Sequence, residues 1–267
     1  MTKEIFPIGI FDSGVGGTSI WKEINFLLPN ESTIYLSDSK NAPYGEKCKD
    51  EIIDLSIKNT EFLLNKNSKI IVVACNTATT NAIRYLREKY DVPFIGIEPA
   101  IKPASFQTKT NKIGLLATKG TLNSKLFEQT SSLIDKDIVI KEQIGLGLVE
   151  LIENGKLYSN EMSDLLDRYL KPMLEKNIDC LVLGCTHYPY LIPQIRLVLG
   201  NKIQIIDSGE AVAKQTMKVL SDCNLLEKGN ASLETNHIFY INKDKRVLKD
   251  LLTDNINESS DIIETDF

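Results

Sequence analysis

The fold is decided by the stretch Ile70-Ile-Val-Val-Ala-Cys75-Asn-Thr77, an apolar run that ends in a cysteine followed by polar residues. A second stretch, Leu181-Val-Leu-Gly-Cys185-Thr-His187, repeats this order in the other half of the chain. Continuous apolar runs of this kind are typical of strands buried on both faces of a parallel sheet. The chain is therefore predicted to contain two strands that each end in a thiol.

Further strand-like runs alternate with helical patterns along the chain. Asp50–Leu64 and Glu161–Lys176 carry apolar residues at helical spacing. This alternation predicts an α/β fold of mostly parallel sheets flanked by helices. The polar, acidic end, Asn257–Phe267, is expected to fray. The predicted strands are Ile8–Phe11, Thr33–Leu36, Lys69–Ala74, Phe94–Ile97, Lys112–Ala117, Ile138–Gln143, Cys180–Gly184, Ile203–Ile206 and His237–Ile241.

A weak internal repeat predicts two similar domains. Ile8-Gly-Ile-Phe-Asp-Ser13 resembles Ile113-Gly-Leu-Leu-Ala-Thr118, at nearly the offset that separates the two cysteines. Duplication of a half-sized unit accounts for both matches, and we expect one domain from 1–97 with 208–267 and a second from 98–207. Because ligands bind beyond the carboxyl ends of parallel strands, the active site is expected between the domains.

Composition limits the classes of function. The 267 residues are 42% hydrophobic and 25% charged, as in globular proteins, and the net charge of −5 comes without a basic cluster for nucleic acid. No secretory signal is apparent, and no apolar run approaches the roughly 20 residues that span a bilayer. We therefore expect a cytoplasmic protein without membrane contact, in which the five cysteines are free thiols.

Three turn-rich loops have competing interpretations. Asp12-Ser-Gly-Val-Gly-Gly-Thr18 is either a strand-to-helix turn with a capping side chain or an anion site at a helix N-terminus, and it lacks the phosphate-loop spacing. Asn41–Lys47 is either an ordinary loop, which is favoured, or a loop whose backbone N–H groups meet a carboxylate beyond a strand end. Asp207-Ser-Gly-Glu210 is predicted to cap a helix.

The paired cysteines indicate acid/base chemistry. A helix N-terminus after each thiol would stabilise the thiolate. Two thiols on opposite sides of one molecule could remove a proton from one face of a carbon and return it to the other. A single buried Cys is usually a core residue, and a disulfide is the next alternative. Zinc lacks enough suitably spaced ligands.

The remaining candidate side chains are judged by their context in the chain. His187, two residues after Cys185, could hold charge or lend a proton to it. His237 is interpreted as structural, and Cys48, Cys180 and Cys223 are given no chemical role because they lack the strand-end context.

Taken together, the motifs resemble those of the glutamate racemases, within the aspartate/glutamate racemase superfamily. The motifs occur in the family's order between about Ile8 and Ala213, and their joint match is specific. The chain departs from the family pattern at Gln143-Ile-Gly-Leu-Gly147, where many members have a Cys-Pro step. The resemblance therefore does not predict the backbone conformation of this segment. The matching segments are Asp12-Ser-Gly-Val-Gly-Gly17, Pro43-Tyr-Gly45, Cys75-Asn-Thr-Ala78, Gly96-Ile-Glu-Pro99 and Gly184-Cys-Thr-His-Tyr-Pro189.

The resemblance implies roles for individual residues. Cys75 and Cys185 would be the acid/base pair, acting on D- and L-glutamate respectively, with Asp12 and His187 as their electrostatic partners. Glu153 would be a further acidic group near the site. The implied substrate-binding residues are Asp12, Ser13, Pro43, Tyr44, Gly45, Asn76, Thr77, Thr118, Thr121, Thr186 and His187.

The resemblance also implies a cofactor-independent enzyme that supplies D-glutamate for bacterial peptidoglycan. Neither a metal nor a pyridoxal cofactor is expected, and a homodimer is left open. Two alternatives remain at this point. One is a superfamily relative acting on aspartate or another small diacid, and the other is a non-enzymatic two-domain protein that binds an anion.

Overall fold

The computed structural model describes residues 6–227, 235–253, 255 and 260–267. The described residues contain ten strands in two sheets, and every strand pair is parallel. The strands are β1 Ile8–Asp12, β2 Thr33–Ser37, β3 Ile70–Val73, β4 Phe94–Gly96, β5 Lys112–Ala117, β6 Val139–Ile144, β7 Cys180–Gly184, β8 Gln204–Ile206, β9 His237–Ile241 and β10 Ser260–Glu264.

Helices connect most of these strands, as the parallel pairing requires. They are α1 Thr18–Leu27, α2 Lys49–Leu64, α3 Asn76–Lys89, α4 Ile101–Gln107, α5 Lys119–Leu122, α6 Lys125–Ser131, α7 Leu148–Glu153, α8 Asn160–Glu175, α9 Ile192–Leu199, α10 Gly209–Asp222 and α11 Arg246–Leu252. Short 3₁₀ helices cover Tyr44–Glu46 and Tyr188–Leu191.

The two sheets share one strand order. The first runs β10-β9-β2-β1-β3-β4 and the second runs β6-β5-β7-β8, so β2-β1-β3-β4 corresponds to β6-β5-β7-β8. In both sheets the strand of the internal repeat, β1 or β5, lies beside the strand that leads to a thiol, β3 or β7. The predicted fold of two similar α/β units is confirmed. The exact domain boundaries, 1–97 with 208–267 and 98–207, stay a prediction.

The C-terminal end differs from the expectation. Instead of fraying, Ser260–Glu264 pairs in parallel with His237–Ile241 and forms the edge of the first sheet. The polar composition misled the prediction because an edge strand exposes much of its surface and needs few apolar residues. Residues 257–259 of the predicted frayed segment lie outside the described residues.

Local contacts decide the other structural predictions. His237 is buried, with Nδ1 2.9 Å from Thr33 Oγ1, so its structural role is confirmed. Asp207 Oδ1 accepts a 2.7 Å hydrogen bond from Gly209 N, the first residue of α10, whereas the N-cap residue Ser208 makes no side-chain capping bond. At the departure from the family pattern, β6 continues to Ile144 and Gly147 takes a φ of 84° before α7, a conformation that suits glycine.

Within the described residues, no helix has both the length and the apolarity for a membrane crossing.

Candidate active site

The two thiols line one small cavity between the sheets. Cys75 directly follows β3 and Cys185 directly follows β7, and both side chains are buried. A larger cavity beside α4 contains neither thiol, so size alone does not mark the site. The residues that line the thiol cavity are Ser13, Pro43, Tyr44, Gly45, Cys75, Asn76, Thr77, Thr118, Val149, Cys185, Thr186 and His187.

The surroundings of Cys75 keep its thiol protonated. Burial is the main cause that raises the pKa of Cys75 far above its ordinary value, and the nearby Asp12 carboxylate raises it further. Hydrogen bonds from Ala78 N at 3.4 Å, the expected helix N-terminal contact, and with Ser13 Oγ at 3.5 Å act the other way. The expectation that the helix N-terminus stabilises a Cys75 thiolate is therefore wrong, because desolvation outweighs the effect of the helix.

Asp12 lies behind Cys75 and does not itself line the cavity. Its Oδ2 accepts hydrogen bonds from Gly17 N at 2.8 Å and Gly14 N at 3.3 Å. These bonds agree with the interpretation of this loop as a strand-to-helix turn held by a side chain. Its Oδ1 lies 3.4 Å from both Ser13 Oγ and Thr186 Oγ1. Burial raises the pKa of Asp12 from 3.8 to about 6, although His187 lowers it. Ser13 thus connects this carboxyl to the Cys75 thiol.

Cys185 has a basic neighbour where Cys75 has an acidic one. Cys185 Sγ lies 3.7 Å from His187 Nδ1, and His187 Nε2 lies 2.6 Å from Glu153 Oε1. Burial alone would lower the pKa of His187, but the hydrogen bonds with Cys185 and Glu153 outweigh it and hold this pKa well above its ordinary value. Nε2 also lies 3.2 Å from Gly16 N, and Nδ1 is the ring nitrogen that faces the thiol.

Glu153 anchors the His187 ring and is itself held by further hydrogen bonds. Its Oε1 also accepts a 2.6 Å hydrogen bond from Val15 N, and its Oε2 accepts a 2.7 Å bond from Ser39 Oγ. The glycine-rich turn makes room for these contacts. A Cβ at Gly14 would lie 1.9 Å from Glu153 Oε1, and one at Gly16 would lie 2.2 Å from His187 Nδ1. The glycines of the loop therefore admit two side chains from the other half of the chain.

Three threonine hydroxyls from the two halves meet at the opposite wall. Thr77 Oγ1 lies 2.8 Å from Thr118 Oγ1 and 3.3 Å from Thr121 Oγ1. Thr118 lines the cavity, whereas Thr121 is fully buried behind it and caps the cluster. Their hydroxyls supply donors and acceptors at the junction.

Asn76 is the least satisfied side chain of the lining. It is 3% exposed, and neither its Nδ2 nor its Oδ1 has a hydrogen-bond partner among the described residues. A buried polar group without a partner costs about 1–3 kcal/mol. An amide that faces a cavity under this penalty is placed to bind a polar ligand.

The loop that was predicted to be ordinary forms part of the cavity. Pro43, Tyr44 and Gly45 all line it, so that prediction is wrong. The Tyr44 hydroxyl donates to the buried Asp38 carboxylate and accepts from Asn59 Nδ2 at 3.1 Å. The sequence alone shows no partner for Tyr44, because Asp38 and Asn59 belong to other elements.

Sequence reasoning missed Val149, Ser39 and Asp38. Val149 lines the cavity four residues before Glu153, and this spacing places both on one face of α7. That spacing was the one available signal.

Of the other cysteines, Cys180 is buried, whereas Cys48 and Cys223 are exposed and none lines the cavity. In the part of the chain that the structure describes, no three His, Cys, Asp or Glu side chains gather as metal ligands.

Known proteins share this sequence and this architecture. The sequence profile of the family described as Asp/Glu/Hydantoin racemase matches residues 16–216. Glutamate racemase of Ralstonia pickettii strain 12J is 44% identical over 231 residues, covering 86% of this chain and 82% of that protein.

Two crystal structures resemble the whole chain. Glutamate racemase from Francisella tularensis subsp. tularensis SCHU S4 in complex with D-glutamate has a TM-score of 0.83 at 28% identity, covering 98% of this chain and 97% of that one. Escherichia coli glutamate racemase in complex with L-glutamate and the activator UDP-MurNAc-ala has a TM-score of 0.84 at 33% identity, covering 97% and 98%.

A match over this much of the chain defines its class. The chain belongs to the Asp/Glu/Hydantoin racemase family and is an amino-acid racemase. Within that family it falls among the glutamate racemases, which confirms the resemblance of its motifs. The alternative of a non-enzymatic binding protein is set aside.

The two thiols should differ in reactivity because their neighbours differ. In a Cys48→Ser/Cys223→Ser background, which removes the exposed thiols, we expect iodoacetamide to alkylate Cys185 faster than Cys75 near neutral pH. The thiolate is the nucleophile, and only Cys185 has an imidazole to take its proton. The measurement is mass spectrometry of the peptides over time.

Two variants serve as internal controls for this experiment. His187→Asn should slow alkylation of Cys185 and leave Cys75 unchanged. Asp12→Asn keeps His187 in place and should leave alkylation of Cys185 unchanged. If His187→Asn leaves the Cys185 rate unchanged, the pairing of thiol and imidazole has no chemical effect.

Proposed function

We propose that this racemase interconverts L- and D-glutamate without a cofactor, with Cys75 and Cys185 acting on opposite faces of Cα. The observation that carries the proposal is the position of the thiols: both are buried, both end equivalent strands, and both border one cavity. Glutamate is chosen over aspartate because the related crystal structures carry D-glutamate and L-glutamate.

The proposed reaction balances with one proton on each side. From L-glutamate, the Cys185 thiolate takes the Cα proton, and the resulting carbanion takes a proton from the Cys75 thiol. The products are D-glutamate, a Cys185 thiol and a Cys75 thiolate. The reverse direction starts from this second form, and exchange with solvent returns the free enzyme to either form.

The neighbours of each thiol support this assignment. The raised pKa of Cys75 keeps it as the acid, and His187 Nδ1 lies 3.7 Å from Cys185 Sγ, within reach of the proton of that thiol. The form with a Cys75 thiol and a Cys185 thiolate is the one that acts on L-glutamate. For D-glutamate, Asp12 is placed to draw the Cys75 proton through Ser13, over contacts of 3.5 and 3.4 Å.

The carbanion needs strong electrostatic stabilisation in a site that excludes water. The candidate donors are the unpartnered Asn76 amide, the hydroxyls of Ser13, Thr118 and Thr186, and the N-terminus of α3. No lysine lines the cavity among the described residues, so a Schiff base with pyridoxal phosphate has no anchor there. We therefore assign the chemistry to the thiols, with Asp12, His187 and Glu153 as their support.

On the family resemblance we further propose that the D-glutamate supplies peptidoglycan synthesis in the cytoplasm. Reduced thiols suit this location, because disulfides form in oxidising compartments. A homodimer remains compatible with the proposal and is not needed for it, since both thiols come from one chain.

Purified protein should interconvert the two glutamate enantiomers with no added cofactor. We expect optical rotation to decay to zero from either enantiomer, with aspartate a much poorer substrate and with chelators and carbonyl reagents without effect. Polarimetry with both amino acids is the measurement. Activity that a chelator abolishes and a metal restores would refute the two-thiol chemistry, and faster turnover of aspartate would refute the substrate.

Each thiol should serve one face of the substrate. Cys75→Ser should abolish racemisation yet still exchange the α-proton of L-glutamate in deuterated water, because the Cys185 side stays intact. Cys185→Ser should show the mirror behaviour with D-glutamate. Proton NMR of each enantiomer with each variant makes the measurement. Exchange of the same enantiomer by both variants, or racemisation near the wild-type rate by either, would contradict the mechanism.

The two supporting residues should affect turnover without affecting the fold. We expect Asp12→Asn and His187→Asn to lower kcat by up to about 10²–10⁴-fold, the range for a positioned acid/base group. Since the pKa of Asp12 is about 6, kcat/KM for D-glutamate should fall as pH drops through about 6, where its carboxylate is protonated. Asp12→Asn should lose this acid limb, and its persistence in the variant would assign it to another group.

A further inference from the structure

We infer that Asn242 is a positioning residue that sets the substrate loop Pro43–Gly45 through Asp38. The inference rests on the proposed function for its kinetic consequence, but its structural part stands independently. Asn242 directly follows β9, in the segment that returns to the first sheet after the second sheet is complete. It lies outside every motif that resembles the racemase family.

Both ends of the Asn242 amide are bonded. Its Nδ2 donates to Asp38 Oδ1 at 2.6 Å, and its Oδ1 accepts from Lys40 N at 2.9 Å. The side chain is 8% exposed, so these bonds are made away from solvent. A carboxamide is the side chain of this size that donates to a carboxylate and accepts from a backbone N–H at once.

Asp38 passes the constraint on to the loop. This carboxylate is 1% exposed and receives donors from three directions, the amides of Asn242 and Asn41 and the hydroxyl of Tyr44. A buried carboxylate is tolerated only with such donors in place. Loss of the Asn242 donor leaves it under-satisfied, and Asp38 must then move or admit water.

The loop that Asp38 holds forms one wall of the cavity. Tyr44 and Gly45 line the cavity, whereas neither Asp38 nor Asn242 does. The next residue, Ser39, donates to Glu153 Oε2 at 2.7 Å and so touches the group behind His187. A shift of the Asp38–Ser39 backbone therefore reaches both sides of the site, and the loop on the Cys75 side first.

Asn242→Ala tests this role. We expect kcat/KM to fall roughly 10- to 100-fold for both enantiomers, carried mainly by KM, because misplacing substrate-binding groups by about 1 Å costs this much. Hydrogen exchange followed by mass spectrometry should show faster exchange of the backbone amides of residues 38–47. The second readout needs no catalysis.

His237→Ala is the matched control. It removes a buried hydrogen bond from the opposite end of the same strand, Thr33 Oγ1 to His237 Nδ1, far from Asp38. We expect it to lower Tm as Asn242→Ala does, but to leave kcat/KM and the exchange of residues 38–47 unchanged. Combination with Tyr44→Phe completes the test. Tyr44→Phe should add little to Asn242→Ala, because both act through Asp38, and should add fully to His237→Ala.

The outcomes separate the inference from the proposed function. If the wild type does not racemise glutamate, the proposed function fails, and exchange of residues 38–47 in Asn242→Ala still decides the structural part. If the wild type is active and Asn242→Ala only lowers Tm, with wild-type kcat/KM and exchange, Asn242 is merely structural and the inference is overturned. Full additivity of Asn242→Ala with Tyr44→Phe would overturn it as well.

Discussion

The Glu153 carboxylate is buried between the two sheets, and donors from three parts of the chain meet there: Val15 N, Ser39 Oγ and His187 Nε2. Burial of a carboxylate costs several kcal/mol unless hydrogen bonds satisfy it. Val15 and Ser39 follow strands of the first sheet, and His187 follows a strand of the second. The hydrogen bonds of the carboxylate are therefore complete only when the two halves are packed together. The same contact fixes the ring of His187 and therefore the atom that faces Cys185. The geometry of the cavity depends on this one group.

The two thiols occupy equivalent positions but unlike electrostatic surroundings. Cys75 has a carboxyl as its neighbour through Ser13, and Cys185 has an imidazole. A duplicated fold supplies matching strand ends, and the loops that follow supply the difference. Because the proposed reaction needs one acid and one base at any moment, this difference between the two thiols suits it.

Much of the architecture could be read from local patterns. Apolar runs such as Ile70–Val73 predict buried parallel strands. A polar residue after each thiol marks the carboxyl end of the strand, where ligand-binding sites form. The strand Ser260–Glu264 was not predicted, because an edge strand carries no such run. The direction of the Cys75 pKa shift was not predicted for a different reason. The helix N-terminus is visible in the sequence, whereas the burial that outweighs it depends on the assembled core.

The residues behind the cavity were the hardest to find from sequence. Glu153 was suggested only by family resemblance, and Asp38, Ser39 and Asn242 gave no signal, because their partners are far away in the chain. Asp38 and Asn242 lie 204 residues apart. Side-chain networks of this range have no periodicity, so only the fold reveals them.

The return of β9 and β10 to the first sheet has a consequence for how the protein is made. The four strands of the second sheet are contiguous in the chain, so they can assemble while synthesis continues. The first sheet must wait for its last strands, because β9 pairs with β2 only after all strands of the second sheet have been made, and such long-range pairing is slow. Until then β2 is an exposed edge, open to pairing with other chains. A ribosome-bound or prematurely ended chain would thus hold both thiols yet lack Asn242 and the sheet edge that lies behind the cavity.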